Sequence, residues 1–334
     1  MIWLLIAGAA IAILLLLRFR SLRHQWSAAA KRAGFAFDAR NWIEAERHCR
    51  VCLAIAAKLE EPARAMYEGH SLMQLAHALY RLGKMREAES TLRQALPRLR
   101  ASFAGGHPGI SAGHALWGDL CMDQGRYPEA EQQYERAVAA DEQIGNVGMM
   151  IFALQRLGEV LIQQARWSDA EEVIDRCVKL EIQVLREELR RTGEQPDGSQ
   201  FVSMSLPDLY FSQRRFEDAT RVYQQKVEYW EHTSLRPDSI DLGRLQTRLG
   251  IAQAMTGHYD GSVEMLRRAA ETYRREWSAD HPRVAVSLAR LAVVLERAHR
   301  AEEAKAAAHG ALELLAAKGL QEHPEFQRLS GLVS

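Results

Sequence analysis

Residues 280–295 read DHPRVAVSLARLAVVL, and residues 106–121 read GHPGISAGHALWGDLC. Both stretches open on His-Pro, and both place an apolar residue two positions after the proline. Both also carry a large apolar residue nine positions after the proline, followed by Ala or Gly. The two prolines are 174 residues apart. A recurrence at this distance indicates an internal repeat.

A second signature, an aromatic residue followed three positions later by alanine, locates the repeat. It occurs in full at four places and in weaker form at three more. The seven resulting anchor positions are 45, 88, 130, 170, 219, 262 and 304. Successive anchors are separated by 43, 42, 40, 49, 43 and 42 residues. Spacings of this size are typical of arrays in which each repeat is one unit of supersecondary structure.

The residues around each anchor follow one pattern. A large apolar residue and a small residue stand thirteen and twelve positions before most anchors, as at Leu157 and Gly158. Apolar residues that recur at spacings of three and four predict amphipathic helices, and small residues allow two such helices to approach closely. A glycine five positions before the anchor predicts the end of the first helix of a hairpin. This glycine is present in three repeats, at Gly83, Gly125 and Gly257.

These residues resemble the tetratricopeptide repeat, with its Leu-Gly, Tyr, Ala, aromatic and Ala positions. The resemblance covers residues 27–318 and implies an all-α fold, a right-handed α-solenoid of about seven helical hairpins. The interval near 42 and the His-Pro openings at 107–108 and 281–282 are similar to the kinesin-light-chain type of this repeat. The segment EHPEF at 322–326 resembles a truncated eighth start. We therefore expect the histidine of each opening to cap or pack against the start of a helix.

The fifth repeat departs from the pattern. It has Pro207 where glycine is expected and Lys226 where alanine is expected, and it follows the longest interval. Proline in a helix interior costs about 3 kcal/mol, so we expect this helix to begin near Leu206 or to kink there. Residues 192–200 are interpreted as a loop insertion. They separate repeats one to four (27–191) from repeats five to seven (201–318), and residues 319–334 form a C-terminal cap.

The first 19 residues predict a single membrane-spanning helix before the solenoid. Residues 2–17 carry no charge, and they are followed by a basic juxtamembrane segment at 20–26. Sixteen helical residues extend about 24 Å, short of the roughly 30 Å hydrocarbon core. Arg18 and Arg20 lie directly after the apolar run, where their side chains can extend to the headgroups.

The charges around this segment predict its fate and orientation. No Lys or Arg precedes the apolar run and no small-residue cleavage site follows it, so an uncleaved anchor is favoured over export after signal cleavage. The positive charges after the run predict that the N-terminus lies outside and the solenoid in the cytosol. A bacterial inner membrane is favoured, and the mitochondrial outer membrane is the alternative.

The composition argues against several other functions. The 334 residues contain 43 Lys and Arg and 43 Asp and Glu, which leaves no overall basic character for nucleic-acid binding. We find no glycine-rich phosphate loop, no nucleophile elbow and no HExxH motif. We therefore expect no enzymatic activity, no cofactor or metal, and no small-molecule substrate.

The four cysteines fall on positions that the repeat uses for packing. Cys49 and Cys52 form a CxxC motif, but no second pair of Cys or His accompanies them at metal-binding spacing. Cys177 occupies the same repeat position as Cys52, and Cys121 an apolar position of a first helix. Core packing is therefore the favoured interpretation of all four, since a free cysteine behaves as a small buried hydrophobe.

The first helix of each hairpin lines the concave face of such a solenoid, which is commonly the binding face. By register, the side chains expected there in the middle repeats are acidic: Asp119, Asp123, Glu159 and Asp208. Those expected in the last two repeats are basic: Arg244, Arg248, Arg290 and Arg297. We predict that these arginines are exposed and bind an acidic segment or a C-terminal carboxylate of a protein partner.

Together these features predict a membrane-anchored adaptor or scaffold. It would bind protein partners through its concave face at the cytosolic membrane surface, to assemble or regulate a membrane complex, with residues 2–17 in the bilayer. A protein-targeting receptor of the import type is the alternative. A redox or metal protein that uses Cys49 and Cys52 is a third, less favoured hypothesis.

Overall fold

The computed structural model describes residues 2–193, 205–233 and 240–333. Within those ranges every regular element is an α-helix, as the repeats predict. The chain divides into two units, Met1–Gly113 and His114–Ser334, which we call unit 1 and unit 2.

The helices follow the chain as pairs. Those that begin in unit 1 are α1 (Ile2–Asp38), α2 (Trp42–Ala56), α3 (Ala63–Arg81), α4 (Met85–Ser102) and α5 (Pro108–Asp123). The next are α6 (Tyr127–Ile144), α7 (Val147–Gln163), α8 (Trp167–Thr192), α9 (Leu206–Ser212) and α10 (Phe216–Thr233). The last are α11 (Ile240–Met255), α12 (Tyr259–Glu276), α13 (Pro282–Arg297), α14 (Ala301–Ala317) and α15 (Pro324–Val333).

The seven predicted anchors are confirmed as the centres of the hairpins. Each second helix, from α2 to α14, begins three residues before its anchor, at the position that the sequence pattern reserves for an aromatic residue. The anchor side chains, six alanines and Ser262, are no more than 1% exposed. An alanine at this point leaves room for the neighbouring helix, and burial of the adjacent apolar side chains stabilises the pair.

The turn inside each hairpin has the same backbone conformation in all seven repeats. The three predicted glycines have positive φ, 70° at Gly83, 73° at Gly125 and 79° at Gly257, and end their helices as expected. The other four repeats adopt the same left-handed conformation without glycine. Their residues at this position are Arg40, Ala165, Arg214 and His299, with φ of 56° to 58°.

Small residues bring the two helices of a hairpin into close contact, as predicted. A Cβ atom added to Gly118 would lie 2.6 Å from the Tyr134 ring, and one added to Gly158 would lie 2.5 Å from Ile174. In each case the bulky residue stands four positions after the anchor. The glycine therefore provides the space that this side chain fills.

The His-Pro openings are helix caps. At His107, His281 and His323 the imidazole Nδ1 accepts a hydrogen bond from the backbone N–H two residues later, at 2.9, 3.2 and 3.1 Å. The proline that follows occupies the first helical position, where its missing N–H is not needed. The predicted capping role is confirmed, and a helix, α15, begins at the third His-Pro.

The start of α15 also contacts an earlier repeat of unit 2. An added Cβ at Gly125, in the α5–α6 turn, would lie 2.4 Å from Pro324 Cδ and 3.0 Å from the His323 ring. The last helix of the chain therefore packs against the third repeat.

The fifth repeat begins late, as predicted. Its first helix, α9, is seven residues long and starts at Leu206, which places Pro207 in the first turn. Of the predicted insertion 192–200, Thr192 ends α8, and residues 194–200 lie outside the described residues.

The N-terminal helix combines three predicted segments. α1 is continuous from Ile2 to Asp38, so the anchor, the basic segment 20–26 and the first helix of repeat one belong to one helix. Its later part packs on α3, where Trp26 Nε1 donates a hydrogen bond of 2.9 Å to Ser71 Oγ. Across the described ranges no helix has the length and apolarity needed to cross a bilayer. The predicted transmembrane helix at 1–19 is therefore not confirmed.

Candidate functional site

The first helices of repeats three to seven line a cavity of about 110 Å³ in unit 2. The charged residues of its wall are Asp119 and Asp123 from α5, Glu159 from α7, Asp208 from α9, Arg244 and Arg248 from α11, and Arg283 and Arg290 from α13. Seven of these eight are the concave-face residues expected from the register. The eighth predicted residue, Arg297, is exposed and is not part of the wall.

The acidic residues of α5 pair with arginines from the last repeats. Arg283 Nε lies 2.7 Å from Asp123 Oδ1, and its Nη2 lies 3.3 Å from Asp119 Oδ1. Arg244 Nη2 lies 3.0 Å from the same Asp119 oxygen, and the Tyr134 hydroxyl donates to it at 3.0 Å. Residues of the third repeat thus bind residues more than 120 positions later in the chain.

A second group of ion pairs surrounds Arg248. Its Nη1 lies 2.6 Å from Asp208 Oδ2 and its Nη2 lies 3.2 Å from Glu159 Oε2. Arg156 Nη1 also lies 3.2 Å from Glu159 Oε2, and the Tyr223 hydroxyl donates to Asp208. Burial alone would raise the pKa of Glu159, but Arg248 and then Arg156 hold it below the usual value. Burial does raise the pKa of Asp208, although Arg248 opposes it.

These pairs correct the prediction of exposed arginines in an open basic groove. The side chains of Arg244 and Arg248 are only 11% and 19% exposed, and both are bound to carboxylates of the same unit. The sequence register assigns each residue to a face of its helix, but it does not show that α11 and α13 meet α5 and α7. The acidic and basic sets therefore neutralise each other instead of forming two separate partner surfaces.

Two arginines of this network were not recognised from the sequence. Arg156 lies on α7, and Arg283 follows the His-Pro opening of α13 directly. The available signal was weak: Arg156 is three residues before Glu159, a spacing at which helical side chains can pair. The acidic residue nearest to Arg283 in the sequence, Asp280, pairs with Lys318 instead, so no local pattern predicts the partners of Arg283.

The cysteines pack in the core, as predicted. All four are buried and none forms a disulfide. Burial raises the pKa of Cys49 to about 12, of Cys52 to about 11 and of Cys177 to about 12. Since the thiolate is the reactive and metal-binding form, these environments disfavour the redox and metal hypothesis.

Comparison with known proteins agrees with the hairpins. Two models of the tetratricopeptide repeat match the sequence, one at residues 67–143 and 109–183 and the other at residues 244–283. Tetratricopeptide repeats are therefore present in this chain. The kinesin-light-chain type is not confirmed by these matches. No curated protein matches the sequence.

Solved structures of similar fold include three that cover most of this chain. The apo form of RapI aligns with a TM-score of 0.59 at 10% identity, over 88% of this chain and 98% of that one. Aspartyl phosphate phosphatase F from Bacillus subtilis aligns with a TM-score of 0.57 at 12% identity, over 88% and 71%. A tetratricopeptide repeat protein from Parabacteroides merdae aligns with a TM-score of 0.51 at 13% identity, over 93% and 98%. At these identities the likeness concerns the fold alone.

Proposed function

We propose that this chain is an adaptor or scaffold, without enzymatic activity, that holds protein partners at the cytosolic surface of a membrane. The observation that carries the proposal is the series of tetratricopeptide repeats, because proteins built from these repeats generally mediate protein–protein interaction. Stacked helical hairpins present long continuous surfaces, which suit the binding of other proteins. The length of the repeats and their His-Pro openings support a relation to the kinesin-light-chain type.

The membrane part of the proposal rests on the N-terminal helix. Leu14, Leu15, Leu16 and Leu17 are 46–65% exposed on α1. Four consecutive helical residues point to all sides of the helix, so one neighbouring helix could not cover them. An apolar surface on all sides suits lipid. Arg18, Arg20 and Arg23 follow directly, and this positive flank favours a cytosolic solenoid, with a bacterial inner membrane as the favoured location.

Fewer arginines on the concave side of unit 2 are available to a partner than the sequence predicts. Its other arginines are held by carboxylates of the unit, but Arg290 lines the cavity with only a 3.4 Å hydrogen bond to the neutral Gln163. Arg297, two helical turns later on α13, is exposed and lies outside the cavity wall. A partner that reaches the cavity would therefore meet Arg290.

Fractionation tests the membrane attachment. We expect the full chain to stay in membranes after carbonate washing, and a variant with Ser at positions 14–17 to move to the soluble fraction. The matched control replaces Arg18, Arg20 and Arg23 with Gln, which should keep membrane binding but weaken the orientation. A reporter that is active only in the cytosol, fused after Ser334, should give signal. Equal solubility of the full chain and the serine variant would refute the anchor.

Crosslinking tests the adaptor role. In native membranes, crosslinking of the full chain should recover a reproducible set of proteins that depends on the folded repeats. A variant that unfolds a hairpin, Gly158→Phe, should lose them, because Ile174 leaves no space for a side chain at that position. Recovery of the same proteins with the folded and unfolded chains would argue against a specific scaffold.

A further inference from the structure

The wall of the cavity in unit 2 contains a buried hydrogen-bond donor without an acceptor. The His323 side chain is 1% exposed, and its Nδ1 accepts the N–H of Glu325 at 3.1 Å. Because Nδ1 is the acceptor, the ring proton of the neutral imidazole lies on Nε2. Nε2 is buried and has no hydrogen-bond partner among the described residues. A buried donor without an acceptor in the protein indicates that a ligand or solvent group accepts its hydrogen bond.

The same wall contains one arginine that does not take part in the ion-pair network. Four carboxylates, those of Asp119, Asp123, Glu159 and Asp208, meet four arginines, Arg156, Arg244, Arg248 and Arg283. Arg290 is the fifth arginine, and its one polar contact is the 3.4 Å hydrogen bond to Gln163 Oε1. Glu325, which follows the cap, faces Arg328 at 3.7 Å, and its charge acts on Tyr127 of the wall in the direction opposite to that of Arg290. Arg290 is therefore the one guanidinium of the wall without an ion pair among the described residues, although from a longer distance it helps to lower the pKa of Glu159.

We propose that this cavity is a binding site for a monocarboxylate, whose oxygens accept hydrogen bonds from the Arg290 guanidinium and from His323 Nε2–H. The planar guanidinium presents paired N–H groups that match the two oxygens of a carboxylate. Tyr127 also lines the cavity and offers a phenol. Burial raises the pKa of that phenol, with Arg290 acting in the opposite direction, so the hydroxyl stays protonated and can donate.

The charge and size of the site select this class of ligand. A single guanidinium without an ion pair matches a monoanion better than a phosphate dianion. Burial first, and then Arg290, lowers the pKa of His323 to about 4, so the histidine adds a donor and no charge at neutral pH. Met122, Ile162 and Ile251 belong to the same wall, so the ligand should carry an apolar group beside its carboxylate. About 110 Å³ accommodates a small acid or the last residue of a peptide, and no folded segment.

This inference goes beyond the adaptor function, because it assigns a ligand of defined chemistry to the cavity and does not need the membrane anchor. The site residues can be changed without dismantling the network. Arg290→Gln removes the cation and breaks one long hydrogen bond. His323→Asn keeps an oxygen that can cap α15 and removes the imidazole donor. Arg297→Gln is the matched control, since Arg297 lies on the same helix but outside the wall.

Titration calorimetry on the full chain in an uncharged detergent tests the site. The probes are butyrate, a peptide ending in leucine with a free carboxylate, the same peptide as its C-terminal amide, butylammonium and inorganic phosphate. We expect butyrate or the free-carboxylate peptide to bind, and the amide and butylammonium not to bind. Binding should weaken by about tenfold or more in Arg290→Gln, weaken less in His323→Asn, and stay unchanged in Arg297→Gln.

The outcomes separate the sources of the carboxylate. Binding of butyrate identifies a small free acid as sufficient, and binding of the peptide alone identifies a terminal carboxylate. The proposal fails if neither binds, if phosphate binds more tightly than both, or if Arg290→Gln and Arg297→Gln have the same affinity in natively helical protein. None of these failures bears on the adaptor function, whose test uses crosslinked partners instead.

Discussion

The guanidinium of Arg283 lies 2.7 Å from the carboxylate of Asp123, although the two residues are 160 positions apart in the chain. Both side chains are buried in unit 2. Removing one partner of a buried pair leaves an uncompensated charge, so Arg283→Met should reduce the free energy of unfolding by about 3–5 kcal/mol. Denaturant unfolding measures this loss.

The matched variants identify the cause of that loss. Arg283→Met with Asp123→Asn should cost less than the sum of the single changes, because the second change removes the stranded charge. Arg215→Met, which breaks an exposed pair with Asp218, should cost far less, because solvent screens that pair. Equal losses of unfolding free energy for the substitutions at positions 283 and 215 would show that the buried pair stabilises the fold no more than the exposed pair.

Ala165 adopts a left-handed conformation, with φ of 56°, at a turn position that three other repeats fill with glycine. The left-handed conformation costs an L-residue about 1–2 kcal/mol in the folded state. Glycine avoids this strain, but its larger entropy in the unfolded state offsets part of the gain in stability. Ala165→Gly should therefore raise the free energy of unfolding by about 0.5–1 kcal/mol. Gly257→Ala, at the same turn position with open space around the added Cβ, should lower it by about 1 kcal/mol. Thermal unfolding of both variants checks the opposite signs.

Gly118 and Gly310 are both helical glycines with opposite surroundings. A Cβ at Gly118 would lie 2.6 Å from the Tyr134 ring, whereas one at Gly310 would have nothing nearer than 3.8 Å. Gly118→Ala should destabilise the chain by about 1–3 kcal/mol through overpacking. Gly310→Ala should stabilise it by about 0.5–1 kcal/mol through helix propensity. A stabilised Gly118→Ala variant would contradict the close helix contact.

Lys226 is a buried cation at a position that the other repeats give to a small residue. Burial lowers its pKa to about 8, against the opposing effects of Glu181 and Asp208. An unfolded lysine keeps its proton up to about pH 10.4. Between these values the unfolded chain binds more protons, so the contribution of Lys226 to stability improves as pH rises.

Lys226→Met should therefore be more stable than the parent at pH 7, by about 3 kcal/mol as an order of magnitude. The advantage should shrink as pH rises from 8 to 10, because the parent's lysine then loses its proton. Urea unfolding of both chains at pH 7, 8.5 and 10 measures the difference and cancels the titration of all other groups. An advantage that grows with pH would show that Lys226 is not destabilised by burial.

Cys49 and Cys52 should react slowly with a thiol reagent at pH 8, because burial raises their pKa to about 12 and about 11. All four thiols should become reactive together when the chain unfolds. Ser90→Cys, at an exposed position of α4, provides a fast-reacting internal control. If Cys49 or Cys52 reacted as fast as that control, the result would support the redox hypothesis.

The local features of this fold were predictable because neighbouring residues determine them. The aromatic-x-x-Ala signature predicts where each second helix begins, and His-Pro predicts the caps at α5, α13 and α15. The four left-handed turns without glycine were missed, as at Arg40 and His299. There the hydrogen bonds at the helix end impose a conformation that these side chains do not themselves favour.

Many residues of the candidate site were predictable from the sequence, but their arrangement was not. Helical register places Asp119, Glu159 and Arg248 on the inner sides of their helices, and in the structure all three line one cavity. Their pairing depends on how far each hairpin rotates relative to the last one, a quantity that no short motif encodes. The role of His323 beyond its cap depends on the same rotation.

The contact of His323 and Pro324 with Gly125 affects how unit 2 should unfold. In an array where each repeat touches only its neighbours, the terminal repeats can fray while the middle stays folded. Here the last helix and the third repeat support each other, so neither end can loosen without disturbing the other. Unit 2 should consequently unfold in one cooperative transition. Its folding should be slower than that of an array with local contacts alone, since distant parts of the chain must meet before the final helix docks.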